Sequence, residues 1–189
     1  MPAGEKAMRP LKQFGSPVMD ALGPISYCDL NKMLDAGYPK GAFNYWKSSY
    51  LAQLGDDAID AMIACFDQCP STMDHIVLEH MHGAAARVGV GDTAFPHRAQ
   101  GYNFLVLSEW IEPSLTSGCI AWARDSYEKM QPFRASGRYV NYLGDDEAGD
   151  AVAAAYGPNY RRLQEVKTTY DPENFFRMNQ NIRPLSAKR

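Results

Sequence analysis

The stretch from residue 74 to residue 111 limits the fold of this chain more than any other. Two runs with strand character, 74–81 and 102–111, are joined by a connection containing glycines, a proline and no helical periodicity. Parallel neighbours need a long crossover, usually a helix, so these two strands are expected to pair antiparallel. The second run is apolar enough to lie centrally in a sheet, and 84–88 is expected to continue the first past Gly83. A third strand is expected at 44–51, with Tyr45, Lys47 and Ser49 opposite Trp46, Ser48 and Tyr50. Between the strands, Ile59, Met62, Ile63 and Phe66 recur at helical spacing behind Asp56 and Asp57, whose charges suit a helix N-terminus. Pro113 and Ser114 precede a second helix that carries Ile120, Trp122, Ala123, Tyr127 and Met130 and stops at Pro132. The expected fold class is α+β: an antiparallel sheet with helices packed on one face, followed by a short strand, two helices and an extended C-terminal tail.

The flanks read differently. Pro2, Pro10, Pro17 and Pro24 predict an extended lead-in over 1–25, and Ser26 is placed to cap a short helix to about Ala36 that buries Leu30, Met33 and Leu34. After Gly137 the pattern predicts a short strand at 139–143, helices at 147–156 and 159–169, a turn at Asp171 and Pro172, and the tail. Residues 137–189 lack the apolar surface for a core of their own. The expected division is 1–136 as a substrate-binding α+β domain and 137–189 as a segment that wraps onto another body.

Composition narrows the function. A net charge of −3 with interspersed signs leaves no basic stripe for a phosphate backbone, so nucleic acid is not an expected partner. No apolar run reaches the ~20 residues that span a bilayer, and the first residues lack the apolar centre of an export signal, so the expected location is cytoplasmic. Cys28, Cys65, Cys69 and Cys119 have neither disulfide-scaffold nor zinc spacing. His80 and His82 share a strand face, with His75 and His97 as possible additions, but no carboxylate or cysteine accompanies them at a fixed ligand spacing. No metal is expected.

The last third carries YVNY at 139–142, YGPNY at 156–160 and YDPENFFRMNQNI at 170–182. Together these resemble the C-terminal signature of the berberine bridge-type FAD-linked oxidases. LKQFG at 11–15, NYWKS at 44–48, GAAARV at 83–88 and TAFPHR at 93–98 resemble pieces of that family's substrate domain, in the family's order. The resemblance implies an FAD held between a nucleotide-binding domain and this one, hydride transfer from a small organic substrate to flavin, and reoxidation by oxygen. It further implies that Tyr142 serves as a base toward the substrate, with Glu79 accepting its proton or acting as base itself. Arg87 or Arg138 would stabilise the phenolate, and Tyr139, Asn141, Asn179 and Gln180 would approach the cofactor. The family's Gly-rich pyrophosphate loops and its flavin-anchoring histidine and cysteine have no counterpart in these 189 residues. FAD is therefore not expected to bind tightly to this chain alone. The expected partner is an FAD-binding domain or subunit, or a second copy covering the same face.

Residue chemistry alone leaves alternatives open. Tyr142 fits a core tyrosine with its hydroxyl satisfied by backbone, Glu79 an edge-strand charge in water, and Asn179, Gln180 and Asn181 a tail that satisfies its own backbone. Arg98 reads as a donor that pins its loop. If 139–143 is a strand, alternation sets Tyr139 and Asn141 on one face and Tyr142 on the other. A redox-inactive small-molecule-binding or dimerisation module is the second functional expectation. Either reading predicts a large apolar or aromatic patch on the face of the closing segment.

Overall fold

The computed structural model describes residues 2–147 and 150–185. They form two compact units, 1–40 and 41–189.

In the first unit, helix α1 (Pro2–Lys12) and a single short helix α2 (Tyr27–Lys32) flank an irregular stretch. The extended reading of 1–25 is thus corrected over its first half. Pro10 lies inside α1 and has no N–H to offer the Lys6 carbonyl, while Glu5 at one end with Arg9 and Lys12 at the other suit the helix dipole. Lys12 then holds the following bend through the Leu22 carbonyl and Asp20, both at 2.9 Å. Ser26 does cap α2, its hydroxyl accepting from the Asp29 amide. Leu30, Met33 and Leu34 are exposed, however, and α2 buries no side chain.

The second unit is built on a four-stranded antiparallel sheet of order β2-β3-β1-β4, with β1 Phe43–Leu51, β2 His75–Met81, β3 Gly101–Trp110 and β4 Arg134–Ala135. β3 is central, pairing Phe104 with Leu78 on one side and with Ser49 on the other. β4, before Gly137, was not anticipated. The expected extension of β2 through 84–88 is instead a 3-10 turn at Ala85–Arg87.

Helices α3 (Asp56–Phe66) and α4 (Thr116–Lys129) cover one face of the sheet. Phe104 and Val106, two apart on β3, point into this layer and meet Leu51, Ala58, Met62, Trp122, Ala123 and Met130. Burying a side chain the size of Phe104 contributes about 2–3 kcal/mol. The buried side of α3 is Ala58, Met62 and Cys65, whereas Ile59, Ile63 and Phe66 are substantially exposed. Two small residues let the helix approach the sheet closely, which outweighs the bulk on its other side. The Trp122 indole donates to the Cys65 carbonyl at 2.8 Å and ties α4 to α3.

Beyond β4 come α5 (Ala151–Tyr156) and α6 (Tyr160–Tyr170), then a tail that holds no helix or strand among its described residues, 171–185. The helix expected from 147 begins at 151, with Asp150 as its cap, and residues 148 and 149 lie outside the described residues. The expected strand at 139–143 is a 3-10 turn, Val140–Tyr142, closed by the Tyr142 and Leu143 amides onto the carbonyls of Tyr139 and Val140.

Candidate functional site

The face of the sheet turned away from α3 and α4 carries the alternate residues of each strand. Register sets Glu79 of β2 beside Asn103 of β3, and Asn103 beside Tyr50 of β1. Asn103 is 1% exposed, and its Nδ2 donates to Glu79 Oε2 at 2.6 Å. That bond leaves Oε1 to accept from elsewhere, and it does so from the Tyr142 hydroxyl at 2.9 Å.

The turn at 140–142 explains how Tyr142 arrives. In a 3-10 turn residues three apart eclipse. Tyr139 and Tyr142 therefore share a side, with ring centroids 5.2 Å apart and planes at 80°. This removes the separation of faces that a strand would have imposed. Asn141 donates from Nδ2 to the Tyr139 hydroxyl at 2.8 Å, and Gln180 reaches from the tail to the Leu143 carbonyl at 3.0 Å. Asn179, at φ 58°, is exposed beside it, in a conformation that asparagine tolerates better than most residues.

Further aromatic residues extend the wall. Trp46, on the same face of β1 as Tyr50, lies 6.1 Å from the Tyr142 ring, and Phe95 meets Tyr139 edge-on at 5.4 Å. His97 sits 4.6 Å from Tyr50, and its Nε2 donates to the Ala155 carbonyl at 2.9 Å, which leaves Nδ1 as the acceptor in the neutral ring. Burial pushes the Tyr50 phenol well above its ordinary value, with Tyr139, Glu79 and Tyr142 adding to the effect. A recess of about 500 Å³ opens beside Tyr142, lined in part by Asn44, Trp46, Asn141 and Leu143.

A second polar group lies across β1, on the helix side. Lys47 is 8% exposed, and its Nζ meets Asp146 Oδ1 and Glu147 Oε1, each at 2.9 Å. The Tyr45 hydroxyl and Arg124 bond the other Asp146 oxygen, and Arg138 pairs with Glu147. Burial opposes ionisation of Asp146, yet hydrogen bonds from Tyr45, Lys47 and Arg124 hold its carboxyl well below the usual carboxylate range.

The structure thus brings Tyr142, Glu79, Tyr139, Asn141 and Gln180 together, with Asn179 at the margin. Arg138 is engaged by Glu147, and Arg87 is exposed on its turn. Arg98 pins its loop through Phe95, Ala85 and Thr93. His80 stacks on Tyr102 at 4.8 Å and lies 4.2 Å from His82, and the described residues hold no group of three or more metal-binding side chains. Asn103, Tyr50, Trp46 and Asp146 escaped the sequence reading as site residues. A polar residue directly before the apolar run 104–107 was the available signal for Asn103, and shared parity along β1 was the signal for Trp46 and Tyr50.

A family model described as berberine and berberine like matches residues 138–183. An FAD-linked oxidoreductase of Dictyostelium discoideum is 26% identical over 96% of this chain and 40% of its own length. Tetrahydroberberine oxidase of Berberis wilsoniae is 28% identical over 79% of this chain and 32% of its own. The solved berberine bridge enzyme of Eschscholzia californica superposes with a TM-score of 0.71 at 22% identity, covering 78% of this chain and 34% of that one. The likeness to the solved enzyme establishes the fold, and the family model establishes the closing segment. The chain is similar to the C-terminal part of the berberine bridge enzyme-like FAD-linked oxidoreductases and spans about two fifths or less of the length of these relatives. Among the described residues, no helix is long and apolar enough to cross a membrane.

Proposed function

We propose that this chain forms the substrate-side wall of an FAD-dependent oxidase and that Tyr142 and Glu79 act together on the substrate proton. The observation that carries the reading is the 2.9 Å hydrogen bond from the Tyr142 hydroxyl to Glu79 Oε1. A phenol near its ordinary pKa of ~10 is a weak base at neutral pH. A carboxylate that accepts the phenolic proton removes that handicap. As the substrate X–H bond breaks, its proton passes to the Tyr142 oxygen, and the phenolic proton passes to Glu79 Oε1. Asn103 keeps the carboxylate aligned throughout. The chemistry FAD supplies when bound is acceptance of a hydride from the substrate carbon and its delivery to oxygen.

The residues present suit that cofactor. Tyr139, Asn141, Asn179 and Gln180 would hold its near side, and Asn181 Oδ1, buried without a protein partner, is an acceptor suited to a hydroxyl or ring N–H. The tail supports an FAD-binding partner as well. Tyr170, Phe175, Phe176 and Met178 are 76–86% exposed. They are nonetheless held in place, because Asp171 accepts from the amides of Phe175 and Phe176 and Lys167 bonds both Asp171 and the Phe176 carbonyl. Ordered apolar groups facing water mark a surface meant to be covered.

The reading is tested in a chimera joining this chain to the FAD-binding part of a longer relative. Its flavin should be reduced anaerobically by a member of a panel of alcohols, sugars and amines. Tyr142→Phe should slow that reduction by about 10²–10⁴-fold. Equal rates in the chimera and in its Tyr142→Phe and Glu79→Gln variants would contradict it.

A further inference from the structure

We infer that Asp146 is a positioning residue, gripped on the helix side of β1 so that the turn four residues earlier sets Tyr142 against Glu79 on the opposite side. The inference rests on the proposed pairing of Tyr142 with Glu79.

The geometry begins with strand parity. Tyr45 and Lys47 point to the helix side of β1, and Trp46 points to the other. Along one edge β1 is paired with β3 throughout, whereas along the other β4 reaches only Tyr50 and Leu51. From Phe43 to Ser49 that second edge meets no strand among the described residues. The segment from Arg138 to Glu147 crosses there. Tyr142 contacts Trp46 on one side, and Asp146 meets Tyr45, Lys47 and Arg124 on the other.

The grip is anchored by desolvation. An ammonium as buried as that of Lys47 needs counter-charge within contact distance, because a buried unpaired charge is strongly destabilising. Asp146 and Glu147 supply it, both at 2.9 Å. Between Asp146 and Tyr142 lie three residues, and the first, Leu143, has its carbonyl held by Gln180. Only Gly144 and Asp145 separate that held carbonyl from Asp146. An alteration in the seating of Asp146 must move the Tyr142 hydroxyl relative to Glu79, whose own carboxylate is fixed by Asn103.

The test uses the whole chain labelled with ¹³C at tyrosine Cζ, the Tyr142 signal being assigned by its loss in Tyr142→Phe. That signal should step in an acid titration of the chain, and the step should vanish in Glu79→Gln. Asp146→Asn keeps the side-chain shape and removes the charge. It should abolish the step while the far-ultraviolet circular dichroism is retained. A step of undiminished size in folded Asp146→Asn overturns the inference, however much stability is lost. If that variant does not fold, Arg124→Gln decides, because it removes one donor to the same carboxylate from the outer surface. A diminished step supports the inference, and an unchanged one refutes it. In the flavin-loaded chimera, Asp146→Asn should lower kcat about 10–100-fold with little change in KM. Should Tyr142→Phe and Glu79→Gln leave turnover intact while Asp146→Asn still uncouples the tyrosine, the positioning role stands and the proton-handling proposal falls.

Discussion

The Tyr142 hydroxyl donates to Glu79 Oε1 at 2.9 Å across 63 residues of sequence, and Asn103 occupies the other oxygen of the same carboxylate. A proton on either oxygen changes what the other can donate or accept, so the phenol and the carboxylate are placed to act as a pair. The sheet supplies the carboxylate and the closing segment supplies the phenol. Neither part holds both.

Gly101, at the start of β3, tests how tightly the sheet that carries Asn103 is assembled. Its φ is +149°, and an added Cβ would lie 2.4 Å from the Leu51 carbonyl oxygen of the paired strand. Backbone cannot retreat as a flexible side chain would. Gly101→Ala should lose about 2 kcal/mol in urea unfolding, and an unchanged midpoint would show that the β1–β3 contact is looser than described.

The Asp146 grip predicts a particular acid response. Its carboxyl is held below the usual range, so its stabilisation is fully present above the unfolded value of about 3.9 and is lost as pH falls toward the folded value. The difference in Tm between the wild-type chain and Asp146→Asn should therefore be constant down to about pH 4 and shrink below it. A difference that widens in acid would contradict this sign.

Thiol reactivity should single out Cys28. It is exposed, whereas Cys65 and Cys119 are buried, burial pushes the Cys119 thiol up, and burial followed by the nearby Asp74 pushes Cys69 to about 11. Because the thiolate is the reactive form, a disulfide reagent at pH 8 should titrate one thiol rapidly. A second rapid thiol would contradict the burial of that cluster.

The exposed phenylalanines offer a test of partnership. Phe175 and Phe176 pack edge-on at 5.1 Å and are mostly solvent-facing. Replacing both with serine should reduce self-association of the isolated chain in sedimentation and weaken its assembly with an FAD-binding partner. Unaltered assembly would remove this surface from the proposed interface.

The sheet and its two covering helices were legible because their signals are local. Aromatic content along 44–51 and the apolar run at 104–107 give strands within a residue or so of those observed. α1 was hidden by Pro10, because a proline past the first turn costs a helix a backbone bond and so argues against a helix at the level of sequence. The face of α3 was misread because bulk was weighted over closeness, and Ala58 and Cys65 won the buried side. At 139–143 the aromatic content suggests a strand, but tertiary bonds to Glu79, Trp46 and Gln180 select a tight turn. Tyr142 and Glu79 entered through family resemblance. Asn103, Tyr50 and Asp146 became visible when register placed them beside that pair or across β1 from it.

The most direct measurement is a double-mutant cycle on anaerobic flavin reduction in the chimera, using Tyr142→Phe, Glu79→Gln and the double variant. If the two residues handle one proton as a unit, the double variant should be about as slow as the slower single one, with the penalties far from additive. Penalties that multiply, or single variants that reduce flavin as fast as the parent, would contradict the central claim.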